Sequence, residues 1–411
     1  MDAEDPLRHM RAKFHIPRNQ AGTQLIYFCG HSLGLQAHLA AEYLEEYMES
    51  WRIRGVEGHF DGPFPWMPYH EFLQERTADL VGAECHEVVT MNSLTANLHF
   101  MMVSFFRPKN NRKKILLEQQ AFPSDHYAAV SQLQFHGLDA EVDLLLVKPR
   151  QKGGVIEDVE WLQMLDEYGD DIALVLLPGV QYLSGQVFDI EKIAQKCREK
   201  GCFIGVDLAH AVGNIPLKLH SWDVDFACWC HYKYLNSGPG ATGGCFVHAK
   251  HHSDEEITRF AGWWGHEKES RFKMAPGFKA ITSAEGWQLS NPPIASLALI
   301  RASLDTFQAA GGMEPLRAKS VLLTGYLEYL LKDKLKEQVK IVTSADVEKR
   351  GCQLSLVIAG ASKSSVHKRL TEEGIICDWR EPNIMRLAPV PLYNQFSDVY
   401  HFVAKLHEIL T

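Results

Sequence analysis

Between about residue 85 and residue 250, the chain alternates short apolar runs with amphipathic segments. The apolar runs are rich in β-branched side chains, which is typical of strands that are buried on both faces of a sheet. The segments Asp158–Tyr168 and Asp189–Lys200 have helical periodicity, and Gly201 follows the second where a C-cap is expected. This alternation predicts an α/β fold with a mostly parallel sheet and helices on both faces. The predicted strands are Glu87–Met91, Lys114–Leu117, Val142–Val147, Ile172–Leu177, Cys202–Val206 and Asp225–Cys230.

A further strand at Gly244–His248 brings the predicted sheet to seven strands. The preceding segment, Gly238–Gly243, matches the Gly-x-Gly-x-x-Gly pattern of dinucleotide-binding proteins. That fingerprint lies between a strand and a helix, whereas a strand follows here, so we interpret the segment as a turn. Cys228 and Cys230 lack the companion ligands of a tetrahedral metal site, which favours core packing, and we predict no metal centre.

The two ends of the chain predict a smaller α/β domain. An N-terminal arm leads into an amphipathic helix, and a long helix, two strands and a final amphipathic helix follow about residue 300. The predicted parts are an arm and helix at residues 1–55 that join the small domain, a large domain at residues 56–300, and a small domain at residues 301–411. The residues that carry this pattern are Leu44, Tyr47, Met48 and Trp51 in the first helix, Leu323, Leu327 and Leu330 in the long helix, the strands Gln353–Ile358 and Met385–Ala388, and Val399, Phe402, Val403 and Leu406 in the last helix.

Composition limits the possible functions. The 42 Lys and Arg residues against 51 Asp and Glu residues give a net charge of −9, which argues against nucleic acid as a partner. No apolar stretch reaches the length of a membrane helix, and the acidic N-terminus does not resemble a signal peptide. The nine cysteines are scattered without a paired motif, so we predict reduced thiols and a cytoplasmic protein.

Two polar residues follow neighbouring strands of the predicted sheet. Asp207 comes after Cys202–Val206, and Lys233 lies between two tyrosines after Asp225–Cys230. Ligands of open α/β sheets bind outside the carboxyl ends of the strands. The pair is suited to pyridoxal phosphate, because the lysine amine forms a Schiff base and the carboxylate holds the proton of the pyridinium nitrogen. Taken singly, Asp207 is equally compatible with a helix N-cap. For a single lysine such as Lys233, an exposed loop position is the commoner role.

The phosphate of that cofactor needs hydrogen-bond donors, preferably at the N-terminus of a helix. Ser93, Leu94 and Thr95 follow the strand Glu87–Met91 and open a predicted helix, which meets this requirement. An ordinary helix cap explains the same residues equally well if Lys233 is set aside.

Seven motifs, spread over almost the whole chain, resemble the kynureninase family of fold-type-I pyridoxal-phosphate enzymes, which are related to the class V aminotransferases. Several long motifs in the order of the family are more specific than a single Asp and Lys pair. The matching segments are Tyr27–Leu35, Phe122–His126, Asp207–Asn214, Trp229–Asn236, Trp263–His266, Ser290–Pro293 and Arg386–Tyr393.

The resemblance implies a role for each residue of a cofactor site. Lys233 would carry the cofactor and move the Cα proton of the substrate, Asp207 would pair with the pyridinium nitrogen, and Phe122 would stack on the ring. Tyr232 would contact the phosphate and move protons in the second half of the reaction. The other implied cofactor-binding residues are Leu94 (through its backbone), Thr95, Asp125, His210, Trp263 and Asn291.

For the substrate, the resemblance implies that Arg386 holds the α-carboxylate through its guanidinium group, with Arg380 as the next candidate. His59, His266 and Asn291 would surround the aromatic ring. Trp263 and Asn291 come from the neighbouring subunit in the family, so a homodimer with shared active sites is implied.

The implied reaction is hydrolysis of the Cβ–Cγ bond of L-kynurenine, or of its 3-hydroxy form, to L-alanine and anthranilate or 3-hydroxyanthranilate. This reaction belongs to tryptophan catabolism and the synthesis of NAD precursors. A cysteine desulfurase-like lyase on the same fold is an alternative that needs a mobile nucleophilic cysteine. A cofactor-binding scaffold without turnover is another.

Two residues depart from the family pattern. His31 stands where the family usually has Asn in Gly-Asn-Ser-Leu-Gly, and Pro178 stands where some members have Ser. Proline offers neither a hydroxyl group nor an N–H group, so we expect these positions to affect cofactor affinity rather than activity.

Overall fold

A computed structural model describes residues 1–151, 154–359 and 363–411 of the chain. The strands are β1 (Ile26–Tyr27), β2 (Val88–Thr90), β3 (Lys114–Glu118), β4 (Leu144–Val147), β5 (Ile172–Pro178), β6 (Phe203–Asp207), β7 (Phe226–Cys230), β8 (Gly243–Val247), β9 (Val339–Ile341), β10 (Leu354–Ile358), β11 (Ile375–Ile376), β12 (Asp378–Arg380) and β13 (Ile384–Leu387). The helices are α1 (His38–Arg54), α2 (Gln74–Val81), α3 (Leu94–Phe105), α4 (Pro123–Phe135), α5 (Ala140–Asp143), α6 (Asp158–Tyr168), α7 (Ile190–Lys200), α8 (Ile294–Ala309), α9 (Met313–Lys334), α10 (Lys368–Glu372) and α11 (Phe396–Leu410).

Within these residues, seven strands form one sheet in the order β2-β8-β7-β6-β5-β3-β4. Only β8 runs against its neighbours in this sheet, so the predicted mostly parallel sheet is confirmed. The predicted strand at Val142–Val147 starts too early, because the Asp139 side chain accepts a hydrogen bond from the Glu141 amide and caps the short helix α5. The strand β4 therefore begins at Leu144.

The sheet has a hydrophobic core on each face. In β3, Leu116 belongs to one core, whereas Ile115 and Leu117 belong to the other. This alternation follows from the two-residue period of a strand, and it explains why the central strands are apolar throughout. The helix α6 has its predicted bounds. The helix α7 ends at Lys200 and is followed by Gly201, whose φ of 70° is left-handed as expected of a C-cap.

A second sheet, in the order β12-β13-β10-β9, is antiparallel and packs with α9 and α11 around a third core. The N-terminal strand β1 pairs with β11, so the arm contacts the C-terminal part of the chain. The predicted division between residues 300 and 301 falls inside α8. The division into a large and a small domain stays a prediction.

The apolar stripe of α1 is largely exposed. The side chains of Met48 and Trp51 are 47% and 56% exposed, although Tyr47 packs against Trp66. The opposite face of α1 is fixed to α8, where Glu46 pairs with Arg301. An exposed apolar stripe of this kind is typical of an interaction surface.

No helix in the described ranges combines the length and the apolarity that a membrane span requires. All nine cysteines lie in those ranges as free thiols, and Cys228 and Cys230 are buried in the core as expected.

The N-terminal arm is held by a buried ion pair. The Nζ atom of Lys319 in α9 lies 2.8 Å from Oδ2 of Asp5, and both side chains are buried. Removing one partner leaves the other charge buried and unpaired.

We therefore expect Asp5→Asn to lower the free energy of unfolding by about 3–5 kcal/mol, measured by urea denaturation. Glu4→Gln is the matched control, because Glu4 is exposed and its substitution should leave the midpoint unchanged. An Asp5→Asn midpoint equal to that of the wild type would show that this ion pair does not stabilise the fold.

Candidate active site

A cavity of about 340 Å³ lies at the carboxyl ends of the parallel strands β3, β5 and β6. The last residues of these strands, Glu118, Pro178 and Asp207, all line it. This is the position expected for a ligand site in an open α/β sheet. The predicted site residues that the fold brings together here are Leu94, Thr95, Phe122, Asp125, Asp207, His210, Tyr232, Lys233 and Arg386.

Lys233 lies in the turn after β7. Its Nζ atom is 5.9 Å from the centre of the Phe122 ring and 6.0 Å from that of Tyr232. The turn is closed by Asn236, whose φ of 55° is left-handed and whose amide donates to the Lys233 carbonyl over 2.9 Å. The amine is therefore presented to the cavity from a backbone that is fixed by its own hydrogen bonds.

The N-terminal arm packs directly on this turn. The Gly34 amide donates a hydrogen bond of 2.9 Å to the Tyr232 carbonyl. A Cβ atom at position 34 would lie 2.3 Å from the Lys233 carbonyl oxygen and 2.2 Å from Oδ1 of Asn236, so only glycine fits. This close approach explains why the motif Tyr27–Leu35 belongs with the lysine motif although the two are distant in sequence.

Asp207 and Asp125 form a buried carboxyl pair next to Lys233. Burial raises the pKa of Asp207, although Lys233 and a 2.7 Å hydrogen bond from the Ala209 amide oppose the shift. Burial and the nearby Asp207 raise the pKa of Asp125 well above its usual value. Oδ1 of Asp125 is buried without a hydrogen-bond partner. The two carboxyls share one neighbouring ammonium group, that of Lys233. A second positive charge at this position would therefore be favourable.

His210 lines the same cavity and is neutral. Burial, followed by the charges of Lys233 and Arg386, lowers its pKa well below the usual value. Its Nδ1 atom is buried without a hydrogen-bond partner. A buried polar atom of this kind marks a position where a bound molecule supplies the missing partner.

The N-terminus of α3 also faces the cavity, through Ser93, Leu94 and Thr95. Ser93 occupies the N-cap position, but no side chain caps the helix. The ordinary explanation of these residues as a helix cap is therefore not supported. Uncapped amides at a helix N-terminus are suited to bind a phosphate group.

Arg386 is buried in β13 and reaches the cavity from the side of the second sheet. Its Nε donates to Oδ2 of Asp378 over 2.6 Å, and its Nη1 donates to the Tyr182 carbonyl over 2.7 Å. Arg380, the second candidate for the substrate carboxylate, also lines the cavity. Both departures from the family pattern, His31 and Pro178, line it as well.

Four predicted site residues lie elsewhere among the described residues. Trp263 is 41% exposed, and Asn291 is also exposed. His59 packs edge-on against Trp66, with ring centres 5.2 Å apart. His266 is buried and bonds Ser270 over 3.0 Å.

The fold adds two polar cavity residues that the motifs did not identify, Glu118 and Tyr182, and one residue behind the cavity wall, Asp378. Glu118 ends a parallel strand, so the rule that selected Asp207 would have found it. Tyr182 packs edge-on against Phe122, with ring centres 5.3 Å apart. Asp378 contacts Arg386 from the side away from the cavity. Only the strand register, which places the two residues opposite each other, identifies it.

The C-terminal part of the chain, residues 316–406, matches the family model "Kynureninase C-terminal domain". The kynureninase of Koribacter versatilis is 52% identical over 405 residues, which cover 98% of this chain and 95% of the relative. The chain belongs to the kynureninase family.

Among solved structures, the Escherichia coli cysteine desulfurase CsdA has a TM-score of 0.77 at 16% identity and 98% coverage of both chains. A mutant of C-DES with glycine covalently linked to its PLP cofactor has a TM-score of 0.76 at 15% identity and covers 93% of this chain and 96% of its own. Both likenesses establish the fold, and the predicted fold type I is confirmed.

Glu118 gives the cavity a carboxyl group that titrates near neutral pH. Burial raises its pKa to about 7, although a hydrogen bond from Gln181 opposes the shift. The folded protein therefore binds this proton more tightly than the unfolded chain, in which the pKa of Glu is about 4.3. Stability is consequently lost as the pH rises from about 4.5 to 7.

We expect Glu118→Gln, which keeps the shape without the charge, to stabilise the apo-protein by about 3 kcal/mol at pH 8. The gain should shrink below about 1 kcal/mol at pH 5. Urea denaturation at both pH values measures it, with the exposed Glu141→Gln as the control. The same gain at both pH values would exclude the titration as its cause.

Proposed function

We propose that this cavity binds pyridoxal 5′-phosphate and that the protein hydrolyses the Cβ–Cγ bond of L-kynurenine or its 3-hydroxy form. The products are L-alanine and anthranilate or 3-hydroxyanthranilate. The observation that carries this conclusion is the convergence of Lys233, Asp207 and Arg386 on one cavity in a chain of the kynureninase family.

The cavity fits the cofactor in charge and in hydrogen bonding. The uncapped amides of α3 match a phosphate group, and the two carboxyls Asp207 and Asp125 match the protonated nitrogen of the ring. When bound, the cofactor supplies an electron-withdrawing ring that stabilises negative charge next to the reacting carbons. Phe122, which is 40% exposed, offers an open ring face for stacking. Leu94, Thr95 and Tyr232 would hold the phosphate group.

Proton transfer is proposed for Lys233 and Tyr232. The lysine amine would carry the cofactor and move the Cα proton of the substrate. Burial, with the charge of Asp207 as a further contribution, raises the pKa of Tyr232 above its usual value, so the phenol keeps its proton at neutral pH. A phenol in that state is suited to donate a proton to a carbon that carries negative charge.

Arg386 is proposed to bind the substrate α-carboxylate, because a guanidinium group binds a carboxylate through two parallel hydrogen bonds. Its two bonds, to Asp378 and to the Tyr182 carbonyl, fix the plane of the group at the wall of the cavity.

A homodimer with shared sites is the second part of the proposal. His59, His266, Trp263 and Asn291 lie outside the cavity of their own chain, as residues supplied to a neighbouring subunit would. The exposed apolar side chains around Trp263 and along α1 support such an interface. The exposed members of these two groups include Trp263, Phe272, Met274, Phe278, Leu44, Met48, Trp51 and Ile53.

The cysteine desulfurase alternative is not favoured. Among the described residues, the lining of the cavity includes no cysteine. Burial also raises the pKa of Cys29 to about 12, so this half-buried thiol is a poor nucleophile. Free thiols throughout the chain support the further proposal of a reducing, cytoplasmic location.

The reaction is tested with L-kynurenine and pyridoxal phosphate, and the fluorescence of anthranilate is the readout. We expect Lys233→Ala to lose the borohydride-trapped cofactor adduct in mass spectrometry and to lower turnover by more than about 10²-fold. Lys192→Ala, on the exposed surface of α7, is the control. A wild-type protein that traps the cofactor but releases no anthranilate would instead support a scaffold without turnover.

The shared site is tested by mixing two inactive variants. Lys233→Ala lacks the amine, and the double variant Trp263→Ala/Asn291→Ala lacks the residues proposed for the neighbouring subunit. After the subunits exchange, each mixed dimer has one complete site, so about a quarter of wild-type activity should return at equal mixing. Exchange without recovery, with exchange itself verified by native mass spectrometry, would contradict the shared site.

A further inference from the structure

Asp378 holds two guanidinium groups at the edge of the cavity. Its Oδ2 atom accepts hydrogen bonds from Nε of Arg386 over 2.6 Å and from Nε of Arg380 over 2.9 Å. Both arginines line the cavity, whereas Asp378 lies behind them. The carboxylate therefore brings together two cations that would otherwise repel each other.

The strand register creates this arrangement. Asp378 in β12 is directly opposite Arg386 in β13, and Arg380 follows Asp378 by two residues. Because alternate residues of a strand point to the same face, the three side chains share one face of the hairpin. The contact is built into the backbone and does not depend on a mobile loop.

The charge of Asp378 persists at neutral pH. Burial opposes ionisation, but the neighbouring His31 together with the hydrogen bond and the charge of Arg386 holds the pKa of Asp378 well below its usual range. His31 lies 3.9 Å away, and its burial lowers its own pKa to about 4, so it is neutral. One carboxylate thus faces two guanidinium groups, and the group of three keeps a single positive charge toward the cavity.

We propose that Asp378 is a positioning residue for the substrate carboxylate. It fixes the Nε edge of Arg386 while the Tyr182 carbonyl fixes Nη1, and it keeps Arg380 next to them. This inference rests on the proposed function, in which Arg386 binds the α-carboxylate.

The substitution Asp378→Asn separates positioning from simple charge. It weakens the hold on Arg386, which would raise KM, and it removes a negative charge that repels the substrate carboxylate, which would lower KM. If Asp378 positions Arg386, the rise in KM is the larger of the two effects, because a charge-assisted hydrogen bond is about twice as strong as a neutral one.

In the holoenzyme, we expect D378N to raise KM for L-kynurenine about tenfold and to change kcat by less than about twofold. The inhibition constant of kynuramine, the amine without the α-carboxylate, should stay the same. In an Arg386→Ala background, D378N should change kcat/KM by less than about twofold, because the residue through which it acts is absent. Asp333→Asn, an exposed carboxylate at the end of α9, is the matched control.

Three results would overturn the inference: an unchanged or lower KM, an equal rise in the kynuramine inhibition constant, or a full D378N effect in the Arg386→Ala background. Asp378→Ser provides the same test with a smaller side chain if D378N does not fold. A wild-type enzyme that releases no anthranilate would contradict the proposed function itself, whereas these three results leave it intact.

Discussion

The cavity depends on the attraction between the Lys233 ammonium group and the buried carboxyls at the ends of neighbouring elements. Asp207 is the last residue of the central strand β6, and Asp125 lies in the first turn of α4. Both side chains are buried from solvent. Burial raises the pKa of both carboxyls, and the nearby Asp207 raises that of Asp125 further, although Lys233 opposes both shifts. A bound ring with a protonated nitrogen would supply a second positive charge next to this pair.

The second sheet provides the opposite electrostatic arrangement. There, two guanidinium groups face one carboxylate, and the remaining charge is positive. In the proposed function, the substrate carboxylate would bind at this end, and the carboxyl pair would hold the protonated nitrogen of the cofactor ring. The two sheets thus surround the cavity with complementary excess charges, which orients a ligand before any reaction occurs.

Much of this arrangement was predictable from the sequence. The continuous apolar strands and the helices between them specify the main sheet, and residues after the strand ends specify Asp207 and Lys233. The contact between Asp378 and Arg386 depends on which residues face each other across a hairpin, and the apolar pattern of such short strands does not determine that register. The predicted start of β4 is also wrong, because Asp139 caps a helical turn that contains Val142 and Asp143. Similar folds do not distinguish the chemistry either, because a cysteine desulfurase at 16% identity has the same architecture as this chain.

The N-terminal arm joins the second sheet to the lysine turn over a very short length. The Phe28 amide donates a hydrogen bond to the Ile376 carbonyl in β11, which precedes β12 of the second sheet. The Gly34 amide donates to the Tyr232 carbonyl beside Lys233. Only residues 29–33 lie between these two anchors, with His31 and Ser32 in the cavity wall. A rotation of the second sheet relative to β7 would therefore change the conformation of these five residues or shift the backbone at Lys233. The arm therefore provides a direct backbone connection between the sheet that carries Arg386 and the turn that carries Lys233.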